Sequence, residues 1–186
     1  LGRTNKDKPI DDVQEVITKD AAGNEIHTPI VGTGSNPRGR YAVHVHRAGT
    51  AHLNEPVVIR DSVVDGSPGW GFVNHSSNVN FADNVASSVT GACFVSEAGD
   101  EYGTFHHNLA TKSTGHNGMM EARLSVNDFG YEGWGFWFQG AGGLHISDNI
   151  AASQIAGGFV AYNHGLKQGG VETQIPTALL SDTSWV

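Results

Sequence analysis

Hydrophobic and polar positions alternate along this chain in short runs, and the runs recur. Five stretches read as copies of one strand. They are Tyr41-Ala42-Val43-His44-Val45-His46, Gly71-Phe72-Val73-Asn74-His75, Cys93-Phe94-Val95-Ser96-Glu97, Gly135-Phe136-Trp137-Phe138-Gln139 and Gly158-Phe159-Val160-Ala161-Tyr162. A second strand, ending in Asn or Ser, recurs between them. Its copies are Val58-Ile59-Arg60-Asp61-Ser62-Val63, Asn80-Phe81-Ala82-Asp83-Asn84-Val85, Thr104-Phe105-His106-His107-Asn108-Leu109 and His145-Ile146-Ser147-Asp148-Asn149-Ile150. Ile59 to Phe81 is 22 residues and Phe81 to Phe105 is 24; Phe105 to Ile146 is 41, one turn carrying an insertion. Units of this size cannot bury a face alone, so each must be covered by its neighbours in a stack. The leucine lattice of a leucine-rich repeat is missing, and a propeller blade needs about 40 residues or more. The pattern predicts an all-β chain, a right-handed parallel β-helix whose strands pair with the coils above and below.

The column Asn84, Asn108 and Asn149, with Ser62 at its end, fits that stack. Stacked Asn side chains hydrogen-bond along a ladder and satisfy backbone groups at a tight corner. Glycines fall where corners are expected, as in Asp65-Gly66-Ser67-Pro68-Gly69, Thr90-Gly91 and Gly157-Gly158, because positive φ suits glycine. The 186 residues are expected to form one domain. Residues 1–39 read as an excursion from an N-terminal coil, with a strand-like Val13 to Thr18 and a turn at Ala21-Ala22-Gly23-Asn24. Residues 40–165 read as stacked coils with an insertion at 116–133, and residues 166–186 as a tail over an open edge. No cap is recognisable at either end. The chain is therefore expected to be a fragment of a longer one, its ends covered by more of the same polypeptide or by another chain. No signal peptide is visible, and no apolar run approaches the roughly 18 residues of a membrane span.

A net charge of −8 argues against nucleic acid as a partner. It weighs mildly against an anionic polysaccharide unless a metal offsets it. The single cysteine, Cys93, excludes an internal disulfide. It shares a column of small residues with Ala42, Gly71, Gly135 and Gly158, which predicts a small, unreactive thiol.

The phenylalanine column fixes which residues point outward. If Phe72, Phe94, Phe136 and Phe159 face the interior with Val43, alternation sends His44 and His46 outward. His75 then stacks on His46, and Glu97 stacks on His75, with coils about 4.8 Å apart. Two imidazoles and a carboxylate form a ligand set for zinc, or for iron, nickel or manganese. The candidate metal ligands are His44, His46, His75 and Glu97, with His75 and Glu97 as candidate catalytic groups. The competing reading is a solvated polar face. Ten histidines among 186 residues, two of them in a His-x-His pair, weigh toward the metal. His116, Glu121 or His27 could complete the ligand set from the excursions. A second outer column, Asp61, Asp83, His107 and Asp148, reads first as corner capping through Asx turns. The loop Glu97-Ala98-Gly99-Asp100-Glu101 could take calcium but lacks ordered ligand spacing. It reads first as a solvated turn, and calcium ranks below a transition metal. Trp137, beside Gln139 on the outer face, is expected to be open to a sugar ring. Arg40, Trp137, Gln139 and Tyr162 are the candidate substrate-binding residues; Trp70, Trp134 and Tyr131 read as packing.

Arg40-Tyr41-Ala42-Val43-His44-Val45-His46 resembles the Arg-Tyr-Pro-Ile-His-Phe-His signature of the extracellular G8/parallel β-helix repeat family. That family includes the cell-migration-inducing hyaluronan-binding protein, the transmembrane hyaluronidase and the fibrocystin-like proteins. Other blocks match in order. Phe94-Val95-Ser96-Glu97 and Gly103-Thr104-Phe105-His106-His107-Asn108-Leu109 resemble the family's Phe-Phe-Leu-Glu-Asp and Asn-Thr-Phe-Asp-His-Asn-Leu segments. Asp148-Asn149-Ile150-Ala151-Ala152 resembles its Asp-Asn-Val-Ala-Ala. The similarity runs from about residue 38 to 165. Ala42 stands where the family has Pro, and the cysteines of the animal proteins are missing, which points to a bacterial relative. The resemblance implies a β-helix in an extracellular or cell-surface carbohydrate context. Since several members are known only as binding or structural proteins, two function classes stay open. One is a metal-assisted depolymerase, hydrolase or lyase, of a uronate-containing polysaccharide. The other is a non-catalytic carbohydrate-binding or adhesive module.

Overall fold

The computed structural model describes residues 11, 13–35, 41–115, 130, 132–139, 142–162, 167–168, 171–172, 178–180 and 183–185. Arg40, His116, Glu121, Tyr131 and the side chain of Tyr162, all named above, lie outside the described residues. Strands β1 (Glu15–Lys19) and β2 (Glu25–Pro29) form an antiparallel hairpin. Asp20 closes its turn by accepting the Ala22 and Asn24 amides at 2.8 Å each.

Beyond the hairpin the chain builds parallel sheets from repeated passes. The first series is β3 (Val43–Gly49), the start of β6 (Phe72–Ala82), β8 (Phe94–Ser96), β11 (Trp134–Gln139) and β14 (Gly157–Tyr162). Val43, Phe72, Phe94, Phe136 and Phe159 share one register. The second is β4 (Val57–Arg60), the end of β6, β9 (Tyr102–His106), β12 (Gly143–Ser147) and β17 (Ala178–Leu180). The third is β5 (Val63–Asp65), β7 (Val85–Ser87), β10 (Leu109–Thr111), β13 (Ile150–Ala152) and β18 (Thr183–Trp185). Strand β6 belongs to the first two series, so these join in one curled sheet; β6 turns at Ser76, whose φ is 48°. A short antiparallel pair, β15 (Lys167–Gln168) with β16 (Val171–Glu172), stands apart. The chain is thus all-β with parallel sheets, as the alternation predicted. Among the described residues no helix is long and apolar enough to cross a membrane.

Two ladders hold the passes together. Phe72, Phe94, Phe136 and Phe159 stack face to face, with ring centroids 5.0, 4.8 and 4.7 Å apart. The first three are fully buried, and offset stacks of this kind add to the burial itself. At the next corner Asn84, Asn108 and Asn149 are buried. Each accepts the backbone N–H of the corner residue one pass before it, and each donates its amide to a carbonyl of that pass, Ile59, Phe81 or Phe105.

Asp61, Asp83, His107 and Asp148 immediately precede that ladder, at φ of 52°, 57°, 53° and 57°. The left-handed region tolerates Asp and His better than most side chains, so the backbone explains this column. At Gly71 and Gly135 an added Cβ would lie 2.4 Å from the Cys93 carbonyl oxygen and 2.6 Å from that of Gly158, which accounts for the column of small residues. Cys93 is fully buried in it, and burial pushes its thiol up to about 12. The folded chain is therefore expected to stay unlabelled by a thiol-specific disulfide reagent and to react stoichiometrically once unfolded. Rapid labelling of the native chain would contradict this packing.

Candidate metal centre

The outer face of the first sheet carries two columns. One consists of His44, Val73, Val95, Trp137 and Val160. The other begins with His46, paired in register with His75. Glu97 follows, its N–H donating to the Asn74 carbonyl at 3.0 Å. Gln139 and Tyr162 then occupy the two succeeding passes of the second column. The corner comes just after His46 and His75, where Arg47 and Ser76 have φ of 52° and 48°. These side chains therefore leave the sheet where it turns.

Strand alternation and stacking bring His44, His75 and Glu97 together from three consecutive passes. Their ligand atoms all lie within 4.8 Å of one another. His75 Nδ1 is 3.0 Å from Glu97 Oε2, and His44 Nε2 is 4.0 Å from the same oxygen. All three side chains are about four-fifths buried, with exposures of 21%, 17% and 16% for His75, Glu97 and His44. A tetrahedral ion with bonds of about 2.0–2.1 Å holds its ligand atoms about 3.3 Å apart. The two distances to Glu97 bracket that spacing, and the set, which spans up to 4.8 Å, must draw in around an ion to become tetrahedral. Three protein ligands leave one position for water or substrate.

The grouping differs in one respect from the straight column expected from the repeat. His46 packs its ring edge-on against His75 at 4.5 Å and against His44 at 5.1 Å, but it is not one of the three residues whose ligand atoms converge. His44, expected beside the column, takes that place, and Tyr41 lies against it at 5.0 Å. His27 is held in the hairpin by Glu15 at 2.7 Å.

Trp137 requires a correction. It is in the outer column but only 1% exposed, so no sugar can stack on it. Tyr41 stacks on Trp70 at 4.4 Å, and Trp70 meets Trp137 edge-on at 5.2 Å. Gly130 then closes over both indoles; a Cβ there would come within 2.5 Å of Trp70 and 2.8 Å of Trp137. Alternation gave the face correctly and missed this cover, which comes from the far end of the insertion. Gln139 remains part-exposed on the polar column.

The acidic loop is also not a solvated turn. Glu101 is 1% exposed. Its Oε1 accepts the N–H of Ser76 at 3.1 Å and of Ala98 at 2.6 Å. Its Oε2 accepts the N–H of Gly99 at 2.7 Å and the Ser96 hydroxyl at 2.9 Å. These four bonds leave little of that carboxylate for a calcium ion. Burial pushes the Glu101 carboxyl up, and the amides of Ala98, Ser76 and Gly99 pull against it. The signal was in the sequence: Glu101 stands two and four residues before Gly103 and Phe105, so alternation along β9 turns it inward with Phe105.

The hydrogen bond to Glu97 raises the His75 pKa above the ordinary histidine value. Burial opposes this, while the charges of Glu97 and Glu101 add to it. His46 is lowered by desolvation and by the positive charge of His75. An ionised carboxylate only accepts, so Nδ1 of His75 carries the hydrogen in the metal-free chain. A metal ligand must be deprotonated. Metal affinity is therefore expected to keep rising with pH above the ordinary histidine range of about 6.5, until His75 has lost its proton. Stability of the metal-free chain should run the other way. The raised pKa contributes stability that is full below about 6.5 and is lost as pH rises through the folded value. Melting curves with and without zinc across that range check both signs. A metal affinity independent of pH would contradict the assignment of His75.

Comparison of the chain with family models, with curated proteins and with solved structures gave no match.

Proposed function

We propose that the chain is part of an extracellular, polysaccharide-active protein built as a right-handed parallel β-helix, and that it resembles the G8/parallel β-helix repeat family in bacterial form. The observation that carries the proposal is the convergence of His44, His75 and Glu97 within 4.8 Å on the outer face of the stack. A divalent transition metal held there would neutralise a uronate carboxylate or lower the pKa of a bound water. The polar column His46, His75, Glu97 and Gln139 runs across successive passes, the direction in which a glycan chain would lie. His75 Nδ1 and Glu97 Oε2 lie 3.0 Å apart, so a metal held between them would replace the proton of that hydrogen bond, and proton exchange with substrate would fall to the water it binds. The net charge of −8 makes a cation the natural bridge to an acidic glycan.

Incubation of the zinc-loaded chain with a panel of uronate-containing polysaccharides tests this reading. Elimination yields unsaturated uronates that absorb in the ultraviolet; hydrolysis yields reducing ends without that absorbance. Loss of either signal on adding a chelator, and on His75→Ala, is expected. A second reading, a non-catalytic carbohydrate-binding module, uses the same polar column without turnover; burial of Trp137 removes a stacking platform from both readings. Metal-dependent binding with no shortening of any glycan would decide for it. No binding to any of them would overturn both.

A further inference from the structure

The buried carboxylate of Glu101 bonds to the chain neighbours of His75 and Glu97. Ser76 directly follows His75. Ser96 and Ala98 flank Glu97, and Gly99 follows. The carboxylate therefore ties the corner of the pass that carries His75 to the loop that carries Glu97. Its surroundings are donors only: two amides on one oxygen, an amide and a hydroxyl on the other. Such a site wants both oxygens as acceptors, which an ionised carboxylate provides. The loop is short, and Gly99 takes a φ of 94°, so the direction of Glu97 depends on that anchor.

We propose that Glu101 is a positioning residue for the metal centre, acting through Glu97; the inference rests on the metal reading above. Glu101 holds the Ser96 hydroxyl on one side of Glu97 and the Ala98 and Gly99 amides on the other, so that Glu97 Oε2 meets His75 Nδ1 at 3.0 Å and His44 Nε2 at 4.0 Å. Outer partners of this kind typically change metal affinity by about 10–100-fold. Gln is nearly isosteric, but its NH₂ would face an N–H donor, Gly99 on one side or Ser76 and Ala98 on the other. The loop must then move.

The test compares wild type, Glu101→Gln, Glu101→Asp and Asn108→Ala. Zinc affinity is measured by competition with a chromophoric chelator, and the downfield His75 Nδ1–H resonance by proton NMR of the metal-free chain. Asn108→Ala is the control for stability, since it weakens the stack away from the centre. Glu101→Gln is expected to bind zinc about 10–100-fold more weakly and to lose the downfield resonance while still melting cooperatively. Glu101→Asp, which keeps the charge, is expected to recover part of both. Asn108→Ala should keep wild-type affinity and resonance below its melting temperature. A Glu101→Gln chain with wild-type affinity and an intact resonance would overturn the proposal, as would equal losses in Asn108→Ala. Should wild type bind no zinc, the metal reading fails, and the resonance alone decides whether Glu101 positions Glu97. Should Glu101→Gln fail to fold, Glu101→Asp carries the same comparison, and wild-type values in both readouts would overturn the proposal.

Discussion

Asn108→Ala is expected to lower the unfolding free energy by about 3 kcal/mol or more, from the cost of several buried groups left unpaired at about 1–3 kcal/mol each. Asn108 donates to the Phe81 carbonyl and to Asn149 Oδ1, each at 3.0 Å. Its own Oδ1 accepts the Asn84 amide N–H at 3.1 Å and Asn84 Nδ2 at 3.0 Å. Truncation leaves the Asn84 N–H and one Asn84 Nδ2 hydrogen without their acceptor and removes a donor from the Phe81 carbonyl, in a corner that is buried. It also cuts the side-chain ladder in the middle. Urea unfolding followed by circular dichroism measures the difference. A loss below about 0.5 kcal/mol, the usual range for a surface change, would mean that this asparagine is not buried between passes.

His75→Ala is expected to weaken zinc binding by roughly 100-fold or more, since loss of a ligand costs more than the 10–100-fold of an outer partner. His44→Ala should do the same. His46→Ala should cost less than either, because His46 only packs against the converging set. That order separates the observed triangle from a straight column of His46, His75 and Glu97. Above the folded pKa of His75, each variant should keep the melting temperature of the metal-free wild type within a few degrees, because none of the three rings lies in the phenylalanine or asparagine ladder. Isothermal titration with zinc and thermal melting provide both quantities. An affinity lost with His46→Ala and His75→Ala but kept in His44→Ala would restore the straight column.

The stacking of passes was legible because the phenylalanine and asparagine columns recur with little change in spacing, and in-register parallel pairing follows from such recurrence. The face on which His44, His75 and Glu97 meet was legible for the same reason: period two along a strand leaves each side chain one of two directions. Which histidine completes the set was not. Alternation places His44 and His46 on the same face but says nothing of rotamers, and His44 leans from a neighbouring column toward Glu97. The cover on Trp137 depends on Gly130, at the far end of an insertion without repeat, where no periodicity informs the path. Glu101 was overlooked because a carboxylate in an acidic, glycine-containing loop reads as solvated. Only the inward phase of Phe105 and Gly103 marks it as buried. His107 and the three aspartates of its column were read as corner residues, and their positive φ gives the physical basis.

The proposed function stands on a divalent metal held by His44, His75 and Glu97 on the outer face of the first sheet. X-ray absorption at the metal edge, on the chain loaded with zinc and freed of excess, tests it most directly. Two imidazole nitrogens at about 2.0–2.1 Å and one carboxylate oxygen at about 2.0–2.2 Å are predicted, with one imidazole missing in His75→Ala. A spectrum of water oxygens alone, or a chain that emerges from gel filtration without zinc, would contradict the account.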